Sequence, residues 1–354
     1  MWQAVDWRLL LLVQRLNSQR KAFMKLLFVV DPLASFKIYK DTTYVMMREA
    51  QRRGHEVSVC VPSDIFWLQG GRVTAQVETI ALPEVDMAAY AAGSATEAWW
   101  QLQQVHTLAL ADFDAVLMRK DPPFDSEFFY TTHLLSQAER EGAKVFNKPA
   151  ALRDHPEKLD ILEFPEWIGP TLVTRDPERI RAFHAEHGDI ILKPLDGMGG
   201  MGIFRVGADG MNLGSIIETL NDHGRTSVMV QRYIPAIKQG DKRILIIDGQ
   251  VVPYALARIP QGNEIRGNMA VGGKAVAQLL SARDVQIAEA IGARLAARGL
   301  LLIGLDVIGD FVTEINVTSP TGFQEIFNQT GCDVAALYID AIERRQATWL
   351  STNA

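Results

Sequence analysis

The sequence predicts an α/β region followed by an α+β region. A short apolar strand, a helix and a second strand open the chain between residues 25 and 61. This order implies a right-handed crossover within a parallel sheet. The second half instead shows strands that return directly on themselves, around a glycine-rich turn near residue 200 and around Asp248-Gly249. The length of 354 residues fits about two or three domains.

The residues before the first strand differ from the rest of the predicted fold. Residues 1–23 contain one apolar run of five residues, Leu9–Val13, between two arginines. That run is too short to cross a membrane or to form the core of a usual signal peptide. We expect residues 1–23 to be an N-terminal extension and the fold to begin at Met24.

The first domain is expected over residues 24–147, where apolar strands alternate with helical stretches. A capping aspartate or threonine and a following glycine delimit its first helix. The stretch from residue 64 to residue 112 is less regular, and both elements predicted within it are weakly patterned. The predicted elements are, in order, the strand Lys25–Val30, a helix from Asp41 or Thr42 to Arg53, the strand His55–Val61, a β-ribbon over Val73–Leu82, a helix over Glu97–Leu110, the strand Ala115–Met118, the helix Asp125–Glu141 and the strand Ala143–Phe146.

Asn147-Lys148-Pro149 marks the domain boundary, and the second region is expected over residues 148–345. An Asp-Gly pair between apolar strands is typical of a two-residue hairpin turn. The stretch Pro260–Lys274 has four glycines and no apolar periodicity, and loops of that length are usually functional or disordered. The predicted elements are the strand Thr171–Thr174, the helix Asp176–His187, the helix Leu213–Asn221, the strand Ser227–Ile234, a hairpin over Asp241–Arg258, the helix Asp284–Arg298, a hairpin over Leu300–Val317 and the helix Asp333–Arg345.

The most informative stretch is Asp189–Gly202, DIILKPLDGMGGMG. Lys193 ends an apolar strand, and a glycine-rich turn follows it. Glycines let backbone N–H groups approach an anion closely, and a lysine supplies a point charge for a phosphate. The spacing is not that of a Walker loop, and another strand follows instead of the helix that a dinucleotide-binding turn requires. We interpret this stretch as a hairpin over phosphates; an ordinary glycine-rich turn is the alternative.

The second hairpin is the best candidate for a metal site. Asp306 interrupts an apolar run, and Glu314 and Asn316 stand two residues apart, so they share one face of their strand. Three oxygen ligands suit Mg²⁺. A two-residue loop at Gly309-Asp310 would place Asp306 and Glu314 on opposite faces, whereas a three-residue loop or a bulge would bring them together. Polar residues of an edge strand facing water are the alternative.

Several basic residues could hold the carboxylates of an acidic substrate through paired hydrogen bonds. Arg119 ends a strand of the predicted parallel sheet, where ligands of such sheets bind. Solvated surface side chains are the alternative for each of them. Asp241 is positioned to orient a lysine or a ribose, or it is simply a turn residue. The basic candidates are Arg119, Lys242, Arg243, Arg258 and Arg266.

Composition excludes several classes of function. Hydrophobic residues make up 48% and charged residues 22% of the chain, which is ordinary for a globular protein. A net charge of -6 without a long basic run argues against electrostatic binding of nucleic acid. Two cysteines, Cys60 and Cys332, provide no disulfide framework and fit a reducing compartment. No catalytic triad is visible. The glycine-rich turn, the lysines, the oxygen ligands, the arginines and the long glycine-containing loop together favour phosphoryl transfer from ATP to an acidic substrate.

The motifs together resemble the bacterial glutathione synthetase family of ATP-grasp ligases. The resemblance runs from about residue 29 to residue 326. The most specific segments are LKPLDGMGG, RIPQG followed by RGN, and EINVTSPTG, with further matches in LMRKDPPFD and NKPAALRDHPEKL. It implies a pre-ATP-grasp α/β domain followed by an ATP-grasp fold of two α+β subdomains, over residues 148–234 and 235–345.

The resemblance also implies a role for each candidate site residue. It implies catalytic roles for Lys193, Arg243, Arg258 and Arg266. The implied nucleotide contacts are Lys158, Lys193, Gly197, Met198, Gly199, Gly200, Gly202, Gln231, Arg232, Tyr233, Ile234 and Asp241. The implied magnesium ligands are Asp306, Glu314 and Asn316. The substrate contacts, with Arg119 added from its position, are Arg119, Arg243, Arg258, Arg266, Asn316, Ser319 and Thr321.

The implied activity is ATP-dependent synthesis of glutathione from γ-glutamylcysteine and glycine through an acyl phosphate. It would use Mg²⁺, with Mn²⁺ as an alternative, in a cytoplasmic homotetramer that binds neither nucleic acid nor membrane. Two other hypotheses are an ATP-grasp ligase with a different acceptor and a nucleotide-binding regulatory protein without turnover. The region Ser319–Gly322 and the long loop would separate the first from glutathione synthesis, and the complete set of metal ligands argues against the second.

Overall fold

The computed structural model describes residues 23–268 and 272–353. The expected N-terminal extension, except for Phe23, lies outside the described residues, as does the middle of the long loop. The described strands form three sheets that follow one another along the chain. In this part of the chain, no helix combines the length and the apolar character needed to span a membrane.

The first sheet contains seven strands in the order β3-β4-β2-β1-β6-β7, with β5 paired to β4. The central strand β1 pairs in parallel with β2 and β6, as the opening βαβ pattern predicts. The carboxyl ends of β1 and β6 therefore meet at one edge, which Arg119 follows directly. The elements are β1 (Lys25–Val29), α1 (Thr42–Arg52), β2 (Glu56–Cys60), β3 (Ile65–Phe66), β4 (Thr74–Ala81), α2 (Met87–Ala92), β5 (Gln101–Ala109), β6 (Ala115–Met118), α3 (Ser126–Arg140) and β7 (Val145–Phe146).

The helix predicted over Glu97–Leu110 is wrong. The structure forms the strand β5 there, and β5 pairs antiparallel with β4 from Thr74↔Ala109 to Ala81↔Gln101. Its side chains are exposed along most of its length. Glutamine and leucine favour a helix, but tertiary context overrides such a preference, and pairing along the whole of β4 supplies the backbone hydrogen bonds instead.

The second sheet is antiparallel and has the order β10-β9-β11-β8. The strands β9 and β10 form the hairpin that carries the glycine-rich turn, as predicted. This sheet has its own small hydrophobic cluster, which includes Ile190, Leu192 and Val230. The elements are α4 (Pro149–Asp154), β8 (Thr171–Thr174), α5 (Pro177–His187), β9 (Ile190–Pro194), β10 (Phe204–Val206), α6 (Leu213–Asn221) and β11 (Val228–Arg232).

The third sheet has the order β14-β13-β12-β15-β16. Asp248 and Gly249 have φ values of 52° and 75°, as the predicted two-residue turn requires. The strand β14 and the helix α8 were not predicted. The elements are β12 (Asp241–Ile247), β13 (Gln250–Ile259), β14 (Lys274–Leu279), α7 (Ala282–Ala297), β15 (Leu302–Ile308), β16 (Phe311–Asn316), α8 (Phe323–Thr330) and α9 (Val334–Asn353).

The last helix joins the third sheet to the first. Two hydrophobic clusters contain residues of both sheets. Arg53, at the end of α1, contacts Asp340 at 2.6 Å and Glu343 at 3.0 Å on α9. Packing and ion pairs therefore fix the first and third sheets relative to one another.

Candidate active site

A cavity of about 480 Å³ is lined by residues of all three sheets. Nearly every site residue predicted from the sequence contributes to its wall, although these residues are spread over some 200 positions of the chain. The predicted residues that line it are Arg119, Lys158, Lys193, Gly197, Met198, Gly199, Gly200, Gln231, Arg232, Tyr233, Ile234, Asp241, Arg243, Arg258, Arg266, Asp306, Glu314, Asn316, Ser319 and Thr321.

The glycine-rich turn needs its glycines for conformation and for space. Gly199 and Gly200 have φ values of 61° and 85°, a region that other residues rarely adopt. A Cβ on Gly197 would lie 2.7 Å from Pro194 Cγ. The Lys158 ammonium donates a hydrogen bond to the Gly197 carbonyl, which holds the turn against the cavity. The turn can therefore present backbone to a phosphate group.

Gly202 is the one predicted turn residue that does not line the cavity. It has a φ of 69°, and a Cβ there would lie 3.1 Å from the Pro194 ring. The structure thus gives Gly202 a role in the shape of the turn rather than in the cavity wall, and its predicted direct contact with nucleotide is not supported.

Two lysines lie next to Glu314. The Lys193 ammonium donates to the Thr313 carbonyl at 3.0 Å, and Lys158 Nζ lies 3.3 Å from Glu314 Oε1. Burial lowers the pKa of Lys193, the charge of Glu314 opposes that shift, and the charge of Lys158 adds to it. An anion bound between the two ammonium groups would relieve both the burial cost and their repulsion.

A β-bulge decides the geometry of the predicted metal ligands. The strands β15 and β16 are joined by the two-residue loop Gly309-Asp310, but their register shifts between Asp306 and Val307. The shift pairs Asp306 directly with Glu314 and Gly304 with Asn316. The bulge is therefore the alternative that the structure adopts, and it brings Asp306, Glu314 and Asn316 onto one face toward the cavity.

Two arginines hold the Asp306 carboxylate. Arg243 Nε lies 2.6 Å from Asp306 Oδ1, and Arg258 Nη2 lies 2.8 Å from Asp306 Oδ2. Burial acts to raise the pKa of Asp306, but the two guanidinium groups outweigh burial and hold that pKa well below its usual range. The carboxylate therefore stays ionised, and its remaining lone pairs face the same side as Glu314 and Asn316.

The residues of this face fit a hard divalent cation. Asn316 Nδ2 donates to the Gly304 carbonyl at 3.2 Å, which leaves the Asn316 amide oxygen as the free acceptor. Two carboxylates and an amide oxygen side by side are the ligand types that Mg²⁺ takes, with phosphate oxygens and water completing its shell.

Asp241 and Lys242 point in opposite directions from β12. The Asp241 carboxylate pairs with Arg258, and its Oδ1 is buried without a hydrogen-bond partner. Burial raises the pKa of Asp241, while Arg258 acts in the opposite direction. Lys242 instead contacts Asp284 and the Gly309 carbonyl outside the cavity. The prediction that Lys242 binds substrate carboxylates is therefore wrong, because alternate residues of a strand face opposite sides.

The long loop after β13 reaches the glycine-rich turn. Arg266 Nη1 donates to the Gly200 carbonyl at 3.1 Å, and Arg266 also pairs with Glu264 at 2.6 Å. A Cβ on Gly200 would lie 2.6 Å from Asn268 Oδ1. In the described part of the loop, Arg266 thus lies across the cavity mouth against the turn.

The segment Gln231–Ile234 ends β11 and lines the cavity. The Gln231 side chain donates to Thr171 Oγ1 at 3.1 Å. The backbone N–H of Arg232 donates to Pro170 and that of Tyr233 to Asp189. These two N–H groups already have partners, so a nucleobase bound here would form its hydrogen bonds with other groups of the segment.

Three cavity acids were not identified from the sequence: Asp41, Asp121 and Glu157. Glu157 Oε1 accepts from Val317 N–H at 2.9 Å and from the backbone and hydroxyl of Thr318 at 3.0 and 2.7 Å. Burial and the charge of Glu314 raise the pKa of Glu157. The available signal was that all three acids stand within segments that match the family, Asp121 two residues after Arg119 and Glu157 next to Lys158.

Comparison with known proteins places the chain in a family. The model of the prokaryotic glutathione synthetase N-terminal domain matches residues 24–153, and that of the ATP-grasp domain matches residues 157–331. A protein of Ralstonia nicotianae named glutathione synthetase is 59% identical over 321 residues, 91% of this chain and 96% of that protein. One of Neisseria meningitidis serogroup B with the same name is 54% identical over 319 residues, 90% of this chain and 98% of that protein.

Solved structures support the fold. The D-cycloserine synthetase DcsG matches with a TM-score of 0.62 and 15% identity, over 91% of this chain and 99% of that one. The ATP-grasp ligase PsnB matches with a TM-score of 0.57 and 19% identity, over 91% and 99%. At these identities the likeness shows the fold alone, an N-terminal α/β domain followed by an ATP-grasp domain. Together with the family matches, it establishes that the chain belongs to the prokaryotic glutathione synthetase family and is an ATP-dependent ligase.

Proposed function

We propose that the chain joins γ-glutamylcysteine to glycine, with ATP converted to ADP and phosphate and glutathione as the product. The observation that carries this proposal is the cavity itself. A glycine-rich turn and two lysines line the same cavity as Asp306, Glu314 and Asn316, together with several arginines. Such a site can hold a nucleoside triphosphate and a second anion together.

In this proposal the turn and the lysines bind the phosphates of ATP. Gly197–Gly200 contact the phosphates through the backbone, and Lys158 and Lys193 neutralise them. Asp306, Glu314 and Asn316 would hold Mg²⁺, which supplies positive charge that stabilises the transferring phosphoryl group. Asp241 Oδ1, buried and without a partner, is available to accept a hydrogen bond from the nucleotide.

The reaction then has two steps. An oxygen of the cysteinyl carboxylate attacks the γ-phosphorus of ATP, the bond to the β,γ-bridging oxygen breaks, and ADP leaves with an acyl phosphate formed. The glycine amine, having lost a proton, attacks the acyl carbon, and phosphate leaves with the carboxylate oxygen. Arg243 and Arg258 orient the reacting carboxylate, and Ser319 and Thr321 line the side where glycine would bind. No side-chain nucleophile is required, because positioning and charge neutralisation supply the catalysis.

An acyl phosphate must be kept from water. Arg266 ties the long loop to the Gly200 carbonyl, so the loop can cover the intermediate while glycine attacks. Arg266 thereby acts on coupling between ATP consumption and product formation rather than on the chemistry of either step.

The test measures ADP, phosphate and glutathione from the purified protein with ATP and Mg²⁺, adding γ-glutamylcysteine and glycine singly and together. We expect full release of ADP only with both, matched by glutathione. Release with other acceptors and none with these would favour a ligase of different specificity. ATP binding without release under any pair would favour a regulatory protein.

Four further properties remain proposals. The family resemblance suggests a cytoplasmic homotetramer, which light scattering and cell fractionation would test. Titration with Mg²⁺ and Mn²⁺ would identify the preferred ion. The proposed division at residues 147/148 and 234/235 would be tested by hydrogen exchange, in which the amides of one domain should lose protection together.

A further inference from the structure

The lysine that contacts the glycine-rich turn stands on a short turn of its own. Lys158 is buried, and its ammonium contacts the Gly197 carbonyl and Glu314. Helix α4 ends four residues before Lys158, and Pro156 cannot continue that helix. The segment that carries Lys158 is therefore neither helix nor strand, and contacts of its side chains must hold it in place.

A buried histidine–aspartate pair joins the two ends of this segment. His155 Nδ1 lies 2.6 Å from Asp160 Oδ1, and each of the two residues is 3% exposed. They are five positions apart, and Lys158 lies between them. Asp160 Oδ2 is buried without a hydrogen-bond partner, so the carboxylate depends on the hydrogen bond from His155. Because a buried carboxylate is costly without a donor, this bond favours the closed turn.

Arg298, which follows α7, contacts the other side of the imidazole. Its Nη1 lies 3.4 Å from His155 Nε2, and its guanidinium donates to the two carboxylate oxygens of Glu163 at 2.9 and 2.7 Å. A guanidinium can only donate. Nε2 therefore accepts, and the proton of the neutral ring lies on Nδ1, toward Asp160. The imidazole is thus held in one tautomer and one orientation.

The same side chains fit this network better than a metal site. His155, Asp160 and Glu163 offer ligand atoms that lie within 4.8 Å of one another. Glu163, however, uses both carboxylate oxygens to bind Arg298, and the same guanidinium faces the imidazole. A metal ion would have to displace a side chain that is always charged. The cluster is therefore explained by the position that it gives to the segment.

The segment connects this network to the proposed metal ligands. The Glu157 carbonyl accepts from the Ile315 N–H at 2.9 Å, and Ile315 stands on β16 between Glu314 and Asn316. Lys158 follows Glu157 directly and reaches into the cavity. A turn that opened at its ends would therefore move the Lys158 ammonium relative to the glycine-rich turn and to β16.

We infer that His155 and Asp160 are positioning residues for the binding of ATP, because their hydrogen bond holds the turn that places Lys158 against the glycine-rich turn. Neither side chain is among those that line the cavity, so both act through Lys158. The inference rests on the proposed contact of Lys158 with the phosphates, and it is independent of which acceptors the ligase joins.

The experiment is a double-mutant cycle on the Kd for ATP, measured by isothermal titration calorimetry with Mg²⁺ and without acceptor substrates. His155→Leu keeps bulk at the position and removes both ring nitrogens. We expect it to weaken ATP binding about tenfold, the lower end of the range for a hydrogen bond to a charged group. In a Lys158→Met background the same substitution should change the Kd by less than about twofold, because the group that it positions is gone.

Two conservative variants separate positioning from general destabilisation. His155→Asn keeps a donor near the place of Nδ1 and should bind ATP within about threefold of the wild type. Asp160→Asn keeps the size and the acceptor but loses the charge, and it should weaken binding about threefold. Should His155→Leu fail to fold, Asp160→Asn takes its place in the cycle. Lys242→Met is the control, because Lys242 pairs outside the cavity, and it should bind ATP like the wild type.

The outcomes distinguish this inference from the proposed function. Equal losses from His155→Leu with and without Lys158 would overturn the inference, as would wild-type ATP binding in both His155→Leu and Asp160→Asn while Lys158→Met binds weakly. Wild-type binding in Lys158→Met would refute the proposed phosphate contact of Lys158 and the inference with it. Failure of the wild type to form glutathione would refute only the proposed acceptors, since the cycle contains none.

Discussion

Arg266→Met tests the contact between the long loop and the glycine-rich turn. The substitution keeps the apolar length of the side chain and removes the hydrogen bond from Arg266 Nη1 to the Gly200 carbonyl, 3.1 Å long. A hydrogen bond from a charged donor is worth about 1.5 kcal/mol or slightly more. The ratio of open to closed loop should therefore rise about tenfold.

The other partner of Arg266 contributes less. The pair with Glu264 is about a quarter exposed on each side, at 27% and 28%, so solvent screening reduces it to less than about 1 kcal/mol. That pair lies within the loop and does not tie the loop to the turn. Glu264→Gln is therefore the matched control, since it removes the pair and leaves the Gly200 contact.

The assay is the ratio of ADP formed to glutathione formed at saturating ATP, with glycine varied. We expect a ratio near one for the wild type and for Glu264→Gln. Arg266→Met should raise both the ratio and the KM for substrates, because the acyl phosphate meets water before glycine. An unchanged ratio in Arg266→Met would refute the assigned role of the loop.

Three other substitutions separate structural from catalytic roles. Asp306→Asn removes the carboxylate that the buried guanidinium groups of Arg243 and Arg258 share, while Arg258 keeps its pair with Asp241. The substitution should cost about 3 kcal/mol of the free energy of unfolding at pH 7. Because the folded-state pKa of Asp306 is depressed, that difference should persist above about pH 5 and shrink as the pH falls below about 4 in urea titrations. Lys242→Met should destabilise by about 2 kcal/mol by leaving the Asp284 carboxylate without its cation, with KM values unchanged in steady-state assays. Gly200→Ala should cost about 1–2 kcal/mol of strain, push Asn268 away and raise the KM for ATP, whereas a normal KM would show that the turn tolerates a side chain.

Local chemistry made much of the fold predictable. The helix α1 begins at a capping aspartate, and the Asp248-Gly249 turn has the two positive φ values that its residue types favour. The strand β5 was not predictable in this way. Its glutamine and leucine residues favour a helix, and pairing with β4 overrides that preference.

The parts of the site that need a particular residue type at a particular spacing were predictable. The glycine-rich turn and its lysine follow from spacing, as do two oxygen ligands on one strand. The bulge that brings Asp306 beside Glu314 depends on packing, and the sequence left its alternatives open. Lys242 was misassigned because its neighbour Arg243 faces the cavity and strand alternation turns Lys242 away. Asp121 was overlooked because it meets Ser319 at the cavity wall only when separate elements come together.

The central claim is that the cavity forms an acyl phosphate on the cysteinyl carboxylate. Its most direct test uses γ-glutamylcysteine labelled with ¹⁸O in that carboxylate, and mass spectrometry of the phosphate released during turnover with ATP and glycine. The account predicts that one labelled oxygen passes to phosphate for each glutathione formed, because the carboxylate oxygen that attacks phosphorus leaves with it. Glutathione formed with unlabelled phosphate would contradict the account.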